Sequence, residues 1–270
     1  MGNKKVIKIE NNNSYLLCSQ KIDDYSNCIK IYDYKFQYNN NTAIFKKQSG
    51  KEIIVFGKLI NSHQHEQKDE EIVLDLLKSN NLSDLINRSR KLAGRFIIIF
   101  FSREGFFVIP DATASIHVAY TTHGENLHVS STPKVIADLN GWKESSLSKK
   151  IKTFAAETHP LPYDMSMYDE IKYVIPNHYL DCKKRKACRF YPVTKEKNVS
   201  VEKAAKISSE IINNIIMGYH ERFKLSLPLT SGIDSRTILS VCKNIISDIP
   251  IYTFFHDNFT AKTADIYIPK

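Results

Sequence analysis

The stretch with the clearest chemical potential is Leu229-Thr230-Ser231-Gly232-Ile233-Asp234-Ser235-Arg236, which lies between a predicted strand and a predicted helix. A turn of small residues in this place lets successive backbone N–H groups approach an anion, and the helix start adds about half a positive charge. The hydroxyls of Thr230, Ser231 and Ser235 can donate hydrogen bonds to phosphate oxygens. The pattern therefore predicts a phosphate-binding loop, here called the 230–235 loop.

Two charged residues accompany this loop. Asp234 can hold a Mg²⁺ ion directly or through water, or it can cap the helix. Arg236 can reach a phosphate or a substrate carboxylate, or it can be an exposed residue of the first helical turn. The spacing G-x-x-x-x-G-K-[ST] is absent from the sequence, so the loop is not a Walker A loop. Taken alone, the loop can also be a structural turn.

The elements around the loop alternate in type. An amphipathic helix is predicted from an N-cap at Ser200 to Tyr219, with isoleucines along one stripe. Next come a strand over 223–229, a helix over 235–246 and a strand over 251–255. Strand, helix and strand in succession predict the opening of a parallel α/β sheet.

The first half of the chain has a different pattern. It predicts a layered α+β domain over residues 1–140, with an antiparallel sheet that is covered on its faces. The predicted strands are 52–56 (ended by Gly57), 95–101, 106–109, 116–120 and 127–130, and the predicted helices are 69–78 and 82–86. From 141 to 198 the pattern loosens, which predicts a connecting segment with one hairpin. Residues 199–270 then form the second domain.

A family resemblance covers most of the chain. Residues 230–235 resemble the S-G-G-x-D-S signature of ATP pyrophosphatases of the asparagine synthetase family. Upstream segments are similar to successive landmarks of that family's N-terminal glutaminase domain and of its interdomain segment. In chain order these segments are 57–61, 92–96, Asp111 with 119–121, and 171–180.

The resemblance implies a fold and an activity. The fold is an N-terminal Ntn-hydrolase-like αββα sandwich, followed by the start of a parallel-sheet ATP pyrophosphatase domain. In the family, the first domain releases ammonia from glutamine. The second adenylates a small carboxylate with ATP and Mg²⁺, and ammonia then displaces AMP to give an amide. By this resemblance Thr230, Ser231, Gly232, Ile233, Asp234 and Ser235 bind the ATP pyrophosphate, with Arg236 beside them and Mg²⁺ at Asp234.

The sequence departs from the family at the glutaminase site. The family's nucleophile is a cysteine that becomes the first residue when Met is removed, whereas this chain has Gly2. The glutamine-binding Asn-Gly-Glu of the family matches Phe56-Gly57-Lys58, which places a lysine where a carboxylate would hold the substrate's amino group. We therefore expect glutamine hydrolysis to be lost, and ammonia to be the nitrogen source.

A second departure is length. Only 39 residues (270 minus 231) follow Ser231, whereas an α/β domain needs on the order of 100–150 residues. The expectation is an incomplete ligase domain, which is completed by a missing C-terminal polypeptide or by a homo-oligomer. A non-catalytic remnant or protein-binding scaffold of the same family is the alternative.

Composition limits the remaining possibilities. No long apolar span or secretory signal is visible, and the five cysteines are scattered, so a cytoplasmic protein without a membrane partner is expected. The net charge of +9 invites a nucleic-acid partner, but the run Lys183–Lys186 is interpreted as a solvated hairpin tip, so none is expected. His63 and His65 are interpreted as loop residues rather than metal ligands.

Overall fold

The structure is a computed structural model that describes residues 14–39, 41–154, 161–192, 198–255, 260 and 263–267. Two units divide the chain. Unit 1 holds the described residues up to Leu59 and those from Asp69 to 192, and unit 2 holds Ile60–Lys68 with the described residues from 198 onward. Gly2 lies outside the described residues.

The helices and strands follow one another in a mixed order. The strands are β1 (Tyr15–Cys18), β2 (Asn27–Ile31), β3 (Tyr34–Tyr38), β4 (Ala43–Gln48), β5 (Lys51–Asn61), β6 (Leu92–Ser102), β7 (Gly105–Pro110), β8 (Ala119–Thr121), β9 (Val129–Ser130), β10 (Ile171–Tyr173), β11 (His178–Asp181), β12 (Lys186–Arg189), β13 (Leu227–Pro228) and β14 (Ile251–Tyr252). The α-helices are α1 (Asp69–Leu77), α2 (Leu82–Ser89), α3 (Pro133–Asn140), α4 (Ser146–Phe154), α5 (Val201–His220), α6 (Ile233–Val241) and α7 (Ala264–Tyr267).

Unit 1 contains two six-stranded sheets. One has the strand order β10-β8-β9-β1-β3-β2 and the other β12-β11-β7-β6-β5-β4. A shared apolar core joins them, since Tyr15 and Phe36 of the first sheet pack in one cluster with Phe56, Ile97 and Val108 of the second. The two sheets therefore lie face to face.

Helices cover the outer faces. Side chains of α1 and α2 pack with Ile98 and Phe100 on the other face of the second sheet. On the first sheet, Ile136 of α3 packs against Ala119 and Ile171. The predicted mixed α and β architecture with covered antiparallel sheets is thus confirmed, in four layers.

The structure confirms two elements that the local sequence pattern predicts, a hairpin that includes β6 and the helix α1. The predicted hairpin is β6 and β7, which pair in register from Ile97↔Pro110 to Ser102↔Gly105. The predicted helix over 69–78 is α1, whose acidic first turn carries Asp69, Glu70 and Glu71. These elements depend on neighbours close in the chain, which is why periodicity alone places them.

The segment 141–198 differs from its prediction as a connecting segment. Its strand β10 pairs with β8 through Ile171↔Thr121, and β11 pairs with β7 through Leu180↔Val108. The segment therefore supplies strands to both sheets of unit 1. The predicted hairpin within it is present as β11 and β12.

Gly57 does not end a strand, contrary to the sequence-based expectation, because β5 continues to Asn61. Gly57 has φ +115°, a conformation that side-chain-bearing residues rarely adopt. A Cβ at this position would lie 2.2 Å from the carbonyl oxygen of Arg95 and 2.9 Å from the Cα of Phe96. The glycine therefore permits a close backbone approach in the middle of the sheet.

Unit 2 begins as a parallel sheet. Leu227↔Ile251 and Pro228↔Tyr252 pair β13 and β14 in parallel, and α6 lies between these strands in the chain. The predicted succession is confirmed, although both strands are shorter than expected. A small apolar cluster, which includes Leu227, Cys242 and Ile249, forms the core.

The long helix of unit 2 matches its prediction. α5 begins after the N-cap Ser200, whose side chain accepts a hydrogen bond from the N–H of Lys203. Segment 60–68 is bonded to this helix and to the residues that follow it, since Asn214 Nδ2 of α5 donates to the carbonyl of Ser62 at 3.0 Å and Arg222 donates to the carbonyls of His65 and Gln67. The described residues include no helix that is both long and apolar enough to cross a membrane.

The steric role of Gly57 is testable by Gly57→Ala. Because the added Cβ would collide with the backbone of Arg95, we expect unit 1 to lose more than about 3 kcal/mol of stability in urea denaturation. The matched control is Gly50→Ala, where φ is also positive at +76° but no atom lies within 4 Å. Its expected cost is about 1–2 kcal/mol. Equal losses in the two variants would contradict the steric explanation.

Candidate functional site

The 230–235 loop lies where the sequence predicted it, between β13 and α6. Its entry is fixed by β14, since the N–H of Leu229 donates to the carbonyl of Tyr252 at 2.8 Å. In addition, Thr253 Oγ1 donates to the carbonyl of Leu229 at 2.8 Å. The loop thus follows the carboxyl end of a parallel strand, a place where ligands bind in open α/β sheets.

The loop is shaped by its own hydroxyl groups. Ser235 Oγ accepts the N–H of Thr230 at 3.1 Å and lies 3.1 Å from Thr230 Oγ1. Thr230 Oγ1 in turn accepts the N–H of Gly232 at 3.1 Å. These bonds close a tight turn. The hydroxyls of Thr230 and Ser235 therefore stabilise the loop conformation, in addition to any bond they would make to a ligand.

The start of α6 keeps its donors available. Gly232 is the N-cap and makes no side-chain capping bond, so the predicted alternative of Asp234 as N-cap is wrong. Within the described part of the chain, the backbone N–H groups of Ile233, Asp234 and Ser235 have no acceptor. Three unsatisfied donors at a helix N-terminus attract an anion.

The two charged residues beside the loop differ in their surroundings. Asp234 is exposed in the first turn of α6, and its carboxylate has no hydrogen bond or ion pair to the residues described. Arg236 is also exposed, but its Nε donates to the carbonyl of Gly232 at 3.3 Å. The Asp234 carboxylate is therefore accessible to an ion from solvent, whereas the Nε–H of Arg236 already donates within the chain.

Sequence reasoning missed Asp265, the residue of α7 that contacts the loop. Its Oδ1 accepts both the backbone N–H of Ser231 at 2.8 Å and the hydroxyl of Ser231 at 2.6 Å. Both bonds lower the pKa of the Asp265 carboxyl below its ordinary value, and the bond from the Ser231 hydroxyl contributes more than the bond from its N–H. No motif signals this contact, because the two residues are 34 positions apart.

The landmark residues of unit 1 have structural contacts. Asp111 is buried, and its carboxylate accepts the hydroxyls of Thr113 at 2.8 Å and Ser115 at 2.7 Å. Lys58, which lies where the family resemblance expects a substrate-binding carboxylate, donates from Nζ to Thr42 Oγ1 at 2.8 Å. Neither contact requires a ligand.

A cavity of about 710 Å³ opens elsewhere in unit 1. Met165, Met167 and Tyr173 are among its apolar walls, and Lys134 and Glu144 are among its charged residues. Lys134 is paired with Asp138 and Glu144 with Lys149. None of the residues predicted to bind ATP lines this cavity.

His, Cys, Asp and Glu side chains are the donors that a metal site would need. In the described ranges no group of three or more His, Cys, Asp or Glu side chains can hold a metal ion. His65 instead lies within 3.2 Å of Glu221 and 3.3 Å of Glu66. A single exposed carboxylate such as Asp234 suits Mg²⁺ only where phosphate and water supply the other ligands.

Comparison with known proteins finds similarity in solved structures only. No family model and no curated protein matches the chain. A structure of the allosteric regulatory enzyme of purine biosynthesis has 12% identity and a TM-score of 0.39, over 87% of this chain and 55% of that one. The glutamine phosphoribosylpyrophosphate amidotransferase of B. subtilis, complexed with ADP and GMP, has 11% identity and a TM-score of 0.37, over 82% and 51%. The chain spans about half the length of these two structures.

The loop's internal bonds lead to a test by Ser235→Ala. Because the variant removes the acceptor of the Thr230 N–H, we expect amide hydrogen exchange at Thr230 to accelerate about fivefold, which corresponds to about 1 kcal/mol. The control is Ser240→Ala on the same helix, whose hydroxyl donates to the carbonyl of Thr237 and makes no bond to the loop among the described residues. Unchanged exchange at Thr230 in the first variant would show that Ser235 does not hold the loop.

Proposed function

We propose that the chain is part of an asparagine synthetase-like, ATP-dependent amide ligase. The observation that carries this proposal is the set of three unsatisfied N–H groups at Ile233, Asp234 and Ser235, which follow a parallel strand and adjoin the hydroxyls of Thr230 and Ser235. Such a set of donors fits the terminal phosphates of ATP. The proposal adds that unit 1 is an Ntn-hydrolase-like domain.

In the proposed reaction, a substrate carboxylate oxygen attacks the α-phosphorus of ATP. An acyl-adenylate forms and pyrophosphate leaves. Ammonia then attacks the acyl carbon, so that the amide forms and AMP is released. The loop N–H groups stabilise the negative charge that develops on the departing pyrophosphate, and Mg²⁺ held at Asp234 would share that charge.

Several accompanying proposals follow from this function. The second substrate is a small carboxylate, and the proposed protein partner is a further polypeptide or another copy of the chain. A cytoplasmic location is proposed with it. No nucleic acid is proposed as a partner.

One observation favours a second candidate, a non-catalytic remnant that serves as a binding scaffold. Asp265 occupies the N–H and the hydroxyl of Ser231, two of the donors that the resemblance assigns to pyrophosphate. A remnant could keep such a contact permanently. Nucleotide binding distinguishes the two candidates.

The first test is calorimetric titration of the chain with ATP and Mg²⁺. We expect binding that weakens about tenfold in Asp234→Ala, because that carboxylate would share the Mg²⁺ ion with the phosphates. Glu210→Ala is the control, since it removes another exposed carboxylate, on α5. A folded chain without ATP affinity would favour the scaffold.

The second test measures ammonia release from glutamine. We expect none above background, because Lys58 replaces the carboxylate that would bind the amino group and its Nζ is bonded to Thr42. A class II amidotransferase with its cysteine intact serves as the positive control. Release by this chain would contradict the proposed loss of glutaminase activity.

A further inference from the structure

The contact between Asp265 and Ser231 places a negative charge on the proposed phosphate site. A single carboxylate oxygen, Oδ1, accepts both the N–H and the hydroxyl of Ser231. At 2.8 and 2.6 Å these are short hydrogen bonds of the kind that an ionised acceptor makes. The carboxylate thus fills one of the anion-binding positions of the loop.

The remaining donors lie immediately along the chain. Ile233, Asp234 and Ser235 begin two residues after Ser231, and their N–H groups have no acceptor in the part of the chain described. A pyrophosphate group bound there would have its oxygens close to the Asp265 carboxylate. Like charges a few ångströms apart repel, and they compete for the same donors at Ser231.

We propose that Asp265 is an intramolecular competitor of the pyrophosphate group at the 230–235 loop. ATP gains the N–H and hydroxyl of Ser231 only when the carboxylate releases them. The inference rests on the proposed function, because it concerns regulation of the same site. It makes the present arrangement a low-affinity state of the loop.

A supporting role for Asp265 gives the opposite result. If the carboxylate merely held Ser231 in the shape that binds phosphate, its removal would weaken binding. If it competes, its removal strengthens binding. The sign of the change therefore separates a competitor from a positioning residue.

The experiment is titration of the full chain with pyrophosphate and Mg²⁺. We expect Asp265→Asn, which removes the charge and keeps the shape, to bind about three- to tenfold more tightly. Asp265→Ala removes the acceptor as well and is expected to bind at least as tightly as Asp265→Asn. Glu210→Gln loses the same charge from the exposed surface of α5, and its change of less than about twofold measures the general charge effect.

The outcomes distinguish this inference from the proposed function. Wild-type binding with equal or weaker binding in both Asp265 variants would overturn the competitor and leave the ATP site intact. Absence of binding in the wild type and in both variants, with circular dichroism showing folded chains, would overturn the ATP site itself. Binding that appears only in the variants would support both the site and its competitor.

Discussion

Burial of both faces of β6 is the constraint on which unit 1 depends. Ile97 and Ile99 point into the core between the sheets, while Phe96, Ile98 and Phe100 point into the core beneath α1 and α2. A strand that alternates between two dry cores must be covered on both faces, and here the first sheet covers one face and helices α1 and α2 cover the other. The four-layer arrangement is one that buries both faces of this single run of six apolar residues, 96–101.

The sequence therefore predicts the centre of unit 1 better than its edges. The hairpin β6 and β7 and the helix α1 carry their periodicity within a few turns of chain. In contrast, the sequence predicts a connecting segment where β10 and β11 join the two sheets, because their pairs Ile171↔Thr121 and Leu180↔Val108 are 50 and 72 positions apart and such distant pairing leaves no local pattern. Gly57 shows the same limit of local pattern. A glycine after an apolar run predicts a strand end, whereas the close approach of the Arg95 backbone is visible only in three dimensions.

The candidate site shows a similar division. A small-residue turn between strand and helix places Thr230 to Ser235 from sequence alone, and the structure puts the N–H groups of Ile233, Asp234 and Ser235 at the start of α6. The proposal that the ligand is ATP comes from the family resemblance. Asp265 could not be found by either route, since a single aspartate in a short helix has no distinguishing spacing. A sequence pattern thus identifies the hydrogen-bond donors of a candidate anion site, but it does not identify a carboxylate of the same chain that accepts from those donors.

In unit 2 the hydrogen bonds of the 230–235 loop contribute a large share of the local stability, because apolar packing is sparse. Its sheet has two strands of two residues each, and α6 has no fully buried residue among those described. Ile251 and Tyr252 of β14 stay exposed, so little apolar packing holds the strand that fixes the loop entry. Where packing is weak, hydroxyl and carboxylate contacts determine the loop conformation, because each is a larger share of the local stability. A ligand that takes over those contacts at Ser231 would therefore change the loop more readily than one that had to rearrange a dry core.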